Sequence, residues 1–399
     1  MIIQKITSKS LPDEIRIGSS KSYLNRALIL ASLKTNRVKI VGASESTDVE
    51  YLINCLREIG LEIKTASNQL EVLNSFPSCE KVSDKPIVLK VGDGGTTARF
   101  LISLLSLGKN KYRLILDEGL AKRPFSEGIS VLRKLGASID FQGSEITVQG
   151  PIIQTGDIEV SCENTTQFAS SFILLNQVCS FNIKLTNVKA SKKYLDISQK
   201  LLTESQESDF IVCKTDFSSI SYIVAYAFFH QDVLITNVKE IDWSQADSRI
   251  FDIIKSIGGD FIIDPNGLRI FKSEAKRGFK VNGNNCLDLI PTLFYLAAFL
   301  PYESEIIGLE KLQLKESDRL SEGLKILDFF GVEYKYVSKD DKITFSAAVS
   351  RKKKDELLKT AYDHRMVMLG TLFFKHLGGG MIAPSESVKK SFPKFFEIF

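Results

Sequence analysis

Four stretches of the chain end a helix in the same way. NCLREIGLEI, SVLRKLGASID, DIIKSIGGDF and KILDFFGVEY each read as an amphipathic helix end, a glycine (Gly60, Gly136, Gly258, Gly331) and an alternating strand. Glycine is the expected residue just past a helix, because it takes positive φ without a Cβ clash. The glycines are 76, 122 and 73 residues apart. The long middle interval leaves room for another copy, and QKLLTESQESDFIV (199–212) reads as a degenerate one lacking the glycine. A repeated α/β unit, used several times and divided into two halves, is the economical expectation.

A chain of 399 residues has room for two domains, each with its own core. With 44% hydrophobic and 25% charged residues it belongs to the ordinary globular class. A net charge of +4 is too mild to argue for nucleic acid, whereas a local basic site for small anions fits it. The six cysteines are scattered without a CxxC pair, so reduced thiols are expected and a disulfide framework or zinc site is not. Three histidines without HxH or HxxxH spacing add no metal centre. The N-terminus has no long apolar run, and residues 289–300 fall short of the ~20 apolar residues a bilayer requires. A cytoplasmic protein without membrane or nucleic-acid partners is the expectation. Arg351-Lys352-Lys353-Lys354 reads as a solvated turn.

The chemistry concentrates where helices begin. Lys315-Glu316-Ser317-Asp318-Arg319 precedes Leu320, Leu324 and Leu327, an apolar stripe at helical spacing. Ser317 or Asp318 can cap that helix, leaving open backbone N–H groups and a positive dipole end beside Lys315 and Arg319. Such a place suits an anion. Gly18-Ser19-Ser20-Lys21-Ser22 leads into a helix with Leu24, Ala27, Leu28 and Ala31 on its buried stripe. Further entrances are the glycine-rich segment from Gly92 to Arg99, Asn164-Thr165-Thr166-Gln167, Asp216-Phe217-Ser218-Ser219 and Asp363-His364-Arg365-Met366. If the repeats bring these ends to one cleft, it gathers Lys21, Arg26, Arg99, Arg123, Lys315, Arg319, Arg365 and Lys390. Guanidinium forks suit carboxylate and phosphate, and a lysine supplies a point charge or a proton. The acids Asp288 and Glu316 are then candidates for general base and acid.

Nine segments, in order along nearly the whole chain, resemble those of the 5-enolpyruvylshikimate-3-phosphate synthase family of the enolpyruvyl transferase superfamily. They are SKSYLNRALILA (20–31), GDGGTTARFL (92–101), AKRPF (121–125), TTQF (165–168), SKKYLDI (191–197), CLDLIPTL (286–293), LKESDRL (314–320), DHRMVM (363–368) and KSFPKFF (390–396). The resemblance implies a two-domain inside-out α/β barrel, each domain built of three related α/β folding units with helices in the middle. One domain would comprise residues 1–19 and 214–399, the other 20–213, with the active site in the cleft between them.

The implied reaction moves the enolpyruvyl group of phosphoenolpyruvate to the 5-hydroxyl of shikimate 3-phosphate and releases phosphate, in the pathway to chorismate and aromatic amino acids. Lys21, Asp288 and Glu316 carry the implied proton transfers. The implied phosphoenolpyruvate site is Lys21, Gly95, Arg99, Arg123, Gln167, Lys315, Arg319, Arg365 and Lys390. The implied shikimate 3-phosphate site is Lys21, Ser22, Arg26, Thr165, Thr166, Gln167, Ser191, Tyr194, Asp288 and Lys315. No metal or organic cofactor is implied, and a monomer is expected.

Other readings remain for single residues. Asp288 lies in an apolar segment and can serve as a buried structural carboxylate; His364 can be a capping histidine; Tyr194 can be core; Ser191 and Thr165 can cap. The chain also departs from the family pattern. Thr165-Thr166 stand where Ser-Ser is common, Leu287 where a proline precedes the aspartate, Lys311 where some members have asparagine, and Gly18-Ser19 where Pro-Gly is common. The alternatives are the sister transfer to UDP-N-acetylglucosamine, whose family often uses a loop cysteine absent from Leu120-Ala121-Lys122-Arg123-Pro124, and a non-catalytic anion-binding paralogue.

Overall fold

The computed structural model describes residues 1–43, 45–347 and 356–399; the basic run Arg351-Lys352-Lys353-Lys354 lies outside the described residues. The chain forms two compact units, Gly18–Lys214, and Met1–Ile17 together with Thr215–Phe399.

In the Gly18–Lys214 unit, the helices Lys21–Leu33, Gly95–Leu105 and Gln167–Leu175 pack on one another. Their composition explains that place. The expected stripe of Leu24, Ala27, Leu28 and Ala31 is buried, but so is every other residue from Tyr23 to Leu33. The reading of a one-sided stripe is therefore corrected, because a helix apolar on nearly all faces is stable only at the centre of a core. Strands flank this centre with one face in and one face out: Val38–Val41 and Glu145–Gln149 alternate buried and less buried residues.

One sheet runs in the order Phe210–Val212, Val38–Val41, Gln69–Val72, Ile63–Ala66, and a second in the order Ile87–Gly92, Lys111–Leu116, Glu145–Gln149, Ser138–Gln142. Each joins one parallel pair to an antiparallel hairpin. Thr155–Ser161 and Ser180–Thr186 form a third, parallel pair.

The other unit repeats the plan. Phe217–His230, Ile290–Phe299 and His364–His376 form its helical centre. Two sheets have the same parallel-then-hairpin order, ending in the hairpins 261–270 and 334–345. Gln4–Thr7, Gly379–Ala383 and Leu357–Lys359 make the third. Helices inside and sheets outside, twice over, is the inside-out α/β architecture expected from the sequence.

All four junction glycines adopt positive φ, +101° at Gly60, +107° at Gly136, +106° at Gly258 and +65° at Gly331. The degenerate copy at 199–212 is helix then strand, without a glycine turn. Its strand makes no hairpin of its own; it pairs in parallel with Val38–Val41, Phe210 opposite Lys39, and completes the first sheet.

The C-terminal ends of the three central helices meet in an aromatic cluster. His230 Nε2 lies 3.0 Å from His376 Nδ1, and the Tyr295 hydroxyl 2.9 Å from the same nitrogen. The His376 ring stacks on Phe299, and His230 on Tyr226. Burial, with Lys272 and Lys375 nearby, pushes His230 down to about 4; burial and His230 push His376 down to about 3. Below the ordinary histidine value of 6.5 the unfolded chain therefore takes up protons that the folded unit refuses, so stability falls with pH from about 6.5 toward 4. The slope approaches ~1.4 kcal/mol per pH unit for each histidine titrating in the unfolded chain only. Thermal melts between pH 7.5 and 4.5 should show a steep loss in the wild type and a shallower one in a His230→Phe/His376→Phe double variant; parallel curves would remove the histidines as the cause.

Candidate active site

Within Gly18–Lys214 the first turns of the central helices come together. Lys21, first residue of its helix, places Nζ 2.7 Å from Asp48 Oδ2, and the Asp48 carbonyl accepts from Thr97 Oγ1 at 3.2 Å. Gln167, first residue of another, donates through Nε2 to Thr96 Oγ1 at 3.0 Å and accepts from Arg99 Nη1 at 2.7 Å. Three helix N-termini, each the positive end of a dipole, thus share one region with Lys21, Arg99 and Arg123.

Arg99 is 1% exposed. It donates to the Gly95 and Pro124 carbonyls, and its guanidinium lies 4.5 Å from the Phe125 ring centre. These contacts hold the fork rigid before any ligand arrives. Gly95 explains its own identity: a Cβ there would lie 2.7 Å from Arg123 Nη1 and 2.8 Å from Arg99 Nη1. Gly95→Ala should therefore push both guanidinium tips aside, against the contacts that hold Arg99, while leaving the helix backbone in place. We expect inorganic phosphate, as a small-anion probe, to bind this unit about tenfold more weakly, ~1.4 kcal/mol, as read by calorimetric titration.

Arg26 is buried, donating from Nε to Ser198 Oγ at 2.7 Å and from the Nη atoms to the Ser22 carbonyl, Ser170 Oγ and the Tyr194 carbonyl. Burial lowers it to about 10, partly offset by Tyr194 and Tyr23. The structure thus makes Arg26 a tie between helices as well as a cation near Ser22 and Tyr194. Tyr194 is half-buried with its ring 5.7 Å from the Arg26 guanidinium. Thr165 Oγ1 accepts from Gln167 N at 3.2 Å, and Thr166 precedes the same helix without a side-chain cap. Ser191, at the start of Lys192–Glu207, has φ +59°, a left-handed conformation that costs energy in a residue other than glycine.

In the other unit the centre is Arg319, 2% exposed. Its Nη1 lies 2.7 Å from Asp288 Oδ1, its Nε 2.8 Å from Asp363 Oδ2, and its Nη2 touches Glu316. Lys315 Nζ is 3.4 Å from Asp288, and Lys390 Nζ 3.9 Å from Glu316. Arg365 Nη1 donates to the Asp288 carbonyl at 2.8 Å, with its Nε 3.6 Å from Asp288 Oδ1. Burial alone would raise the Asp288 carboxyl, but Lys315, Arg365 and Arg319 together hold it well below the usual range. Burial would lower Arg319, yet Asp363, Glu316 and Asp288 raise it, so it stays charged.

Local sequence explains how these groups arrive. Asp318 caps Arg319–Phe329 by accepting from Ser321 N, while Ser317 turns away to donate to Asp363 at 3.0 Å. Leu320, Gly323, Ile326 and Leu327 form that helix's buried face, with Leu324 only half-buried. Leu287 is buried in the short 3-10 turn Leu287–Leu289 that carries Asp288 into Ile290–Phe299. Lys311 lies in the turn Glu310–Leu314. His364 is the first residue of its helix, 1% exposed, with Nδ1 3.5 Å from Asp363 Oδ1.

Lys21, Ser22, Arg26, Gly95, Arg99, Arg123, Thr165, Thr166, Gln167, Ser191 and Tyr194 thus fall in one unit, and Asp288, Lys315, Glu316, Arg319, Arg365 and Lys390 in the other. Sequence reasoning missed two carboxylates. Asp48, 5% exposed, is the partner of Lys21 but sits 27 residues away, and its sequence neighbourhood reads only as an acidic first turn. Asp363 is wholly buried, and its one visible signal was its N-cap place two residues before Arg365.

Known proteins share this build. The family described as EPSP synthase (3-phosphoshikimate 1-carboxyvinyltransferase) matches residues 6–207 and 203–399. A 3-phosphoshikimate 1-carboxyvinyltransferase of Methanococcus vannielii is 28% identical across 100% of this chain and 97% of its own length. The enzyme of that description from Deinococcus radiodurans is 24% identical over 98% and 93%. Among solved structures, EPSP synthase from Acinetobacter baumannii superposes with a TM-score of 0.76 at 18% identity, covering 99% of this chain and 97% of that one. The enolpyruvyl transferase NikO from Streptomyces tendae also superposes with a TM-score of 0.76, at 12% identity over 99% and 95%, a likeness of fold. With both halves of the chain matched, the protein belongs to the EPSP synthase family of enolpyruvyl transferases.

Proposed function

We propose that the protein transfers the enolpyruvyl group of phosphoenolpyruvate to the 5-hydroxyl of shikimate 3-phosphate, releasing inorganic phosphate. The observation that carries this reading is the pair of carboxylates, Asp288 and Glu316, held on the single buried guanidinium of Arg319 with Lys315 and Lys390 beside them. A transfer of this kind needs a proton donor, a proton acceptor and fixed cations for a phosphate and a carboxylate, and that cluster supplies them together.

Glu316 delivers a proton to C3 of phosphoenolpyruvate, making C2 electrophilic. The 5-hydroxyl oxygen adds to C2 as Asp288 and Lys21 take its proton. Phosphate then leaves C2 with its bonding electrons, and Glu316, now a carboxylate, takes a proton back from C3 to restore the double bond. Arg99, Arg123, Gln167 and the backbone at Gly95 hold phosphoenolpyruvate together with Lys315, Arg319, Arg365 and Lys390. Ser22, Arg26, Thr165, Thr166, Gln167, Ser191 and Tyr194 hold shikimate 3-phosphate.

Phosphate release on mixing the protein with phosphoenolpyruvate and shikimate 3-phosphate tests the reading. Release that requires shikimate 3-phosphate and falls by ~10²-fold or more in Glu316→Gln is the expected result. Release with UDP-N-acetylglucosamine instead would assign the sister transfer. Binding of both substrates without release would make the chain a non-catalytic member.

A further inference from the structure

The anion region of the Gly18–Lys214 unit contains an acid. Asp48 stands in the first turn of the helix Thr47–Glu58, its side chain 6% exposed, with Oδ2 2.7 Å from Lys21 Nζ. Its carbonyl accepts from Thr97 Oγ1 at 3.2 Å, which ties this turn to the helix Gly95–Leu105. The second carboxylate oxygen, Oδ1, is buried without a hydrogen-bond partner. It lies at the entrance of that same helix: a Cβ on Gly94, the residue before its first turn, would sit 3.1 Å from Asp48 Oδ1. A Cβ on the next residue, Gly95, would sit against Arg123 Nη1 and Arg99 Nη1. The carboxylate and the two guanidinium tips thus flank consecutive residues at one helix start.

The transfer described above gives Asp48 no part. A fixed negative charge among cations works against the binding of an anion, by repelling the ligand and by sharing the charge of Lys21. The same contact fixes the ammonium. A lysine is a point charge on a flexible four-carbon stem with three N–H donors. Asp48 takes one of them from the protein side, since Asp48 is 6% exposed and the Lys21 side chain 19%. Two donors remain for a ligand, at a place set before it arrives. We propose that Asp48 is a positioning residue of this anion site: it holds the Lys21 ammonium in place, and its charge lowers the affinity for the anion that Lys21 receives. The effect on anion binding stands on this geometry alone; the consequence for rate rests on the reading given under Proposed function.

Two substitutions separate charge from position. Asp48→Asn removes the charge and keeps an acceptor oxygen for Lys21, whereas Asp48→Ala removes both. Lys21 reaches solvent, so neither variant strands a buried cation. In calorimetric titration with inorganic phosphate at pH 8 and low salt, both variants should bind about fivefold more tightly than wild type. In a Lys21→Met background the gain from Asp48→Asn should shrink below about twofold. A merely structural acid gives the opposite sign, because loosening the site weakens phosphate binding. Unchanged or weaker binding in Asp48→Asn, or a gain that persists in full without Lys21, overturns the proposal. If neither variant folds, carbon-13 NMR of the aspartate carboxyls decides. A wild-type resonance that moves with phosphate at the calorimetric Kd, and is missing from the aspartate region in Asp48→Glu, supports the role; its absence overturns it.

Rates test the position. In phosphate release from phosphoenolpyruvate and shikimate 3-phosphate, kcat should fall about tenfold in Asp48→Ala and less than about threefold in Asp48→Asn, with KM for phosphoenolpyruvate no higher in either. Equal losses in the two variants overturn the proposal. A wild type without release strikes the reading of the reaction, and the phosphate titration still decides for or against Asp48.

Discussion

Asp288→Asn should lower phosphate release from phosphoenolpyruvate and shikimate 3-phosphate by about 10²–10⁴-fold, the usual worth of a positioned acid–base group. The substitution keeps the shape and one acceptor oxygen for Arg319 Nη1, now at 2.7 Å. What it removes is the negative charge that Lys315, Arg365 and Arg319 hold ionised, and with it the capacity to take the hydroxyl proton. Because an amide oxygen still fills the contact, the melting temperature should move by only a few degrees while turnover collapses. A proportional loss of fold and turnover, measured by melting and steady-state rates on the same preparation, would make Asp288 a structural carboxylate instead. That is the alternative its apolar sequence neighbourhood left open.

Arg319→Met should be the most destabilising change in its unit, by about 3–5 kcal/mol, the cost of breaking a buried ion pair from one side. Arg319 contacts Asp288, Glu316 and Asp363 at once, and Asp363 is wholly buried. Without the guanidinium, the wholly buried Asp363 loses the cation at its carboxylate, while Lys315 and Arg365 remain beside Asp288 and Lys390 beside Glu316. For a unit of roughly 200 residues this corresponds to a fall in Tm of about 10 °C.

The pH dependence identifies the cause. In the wild type, Asp288 has a depressed carboxyl, so its contribution is present above the ordinary carboxylate value near 3.8 and is lost as pH falls through its lower folded value. In the variant the same carboxylates gain by taking up protons, so the gap to wild type should narrow below about pH 5. A gap of constant size from pH 8 to 4 would point to lost packing of the arginine stem instead of unpaired charge.

The two variants differ in what they leave behind. The first removes one negative charge from a group of cations that retains other acids. The second removes the shared cation and leaves the wholly buried Asp363 without it. Rate is therefore the sensitive readout of the first, and stability of the second.

Much of this protein was legible in the linear chain because the relevant physics is short-ranged. A helix end, a positive-φ glycine and an alternating strand lie within about ten residues, and the structure shows each of the four glycines where that pattern puts it. The Asp318 cap and the Glu316–Arg319 contact, three residues apart on one turn, are of the same local kind. Ordered motifs also pointed to the family that the comparisons show.

Partner choice belonged to tertiary structure. Lys21 meets Asp48 across 27 residues, Arg319 meets Asp363 across 44, and Arg365 meets Asp288 across 77. No periodicity encodes those pairings, since they depend on which helices become central and which ends of them coincide. The same holds for the strand Phe210–Val212, whose own segment offers no hairpin and whose place is set by the free edge of Val38–Val41. Local sequence determined where helices start and stop and which residue types sit at their entrances. Burial against distant segments decided which of those charges face one another, because Coulomb energy depends on separation in space and on exclusion of water, neither of which is a property of neighbouring residues in the chain.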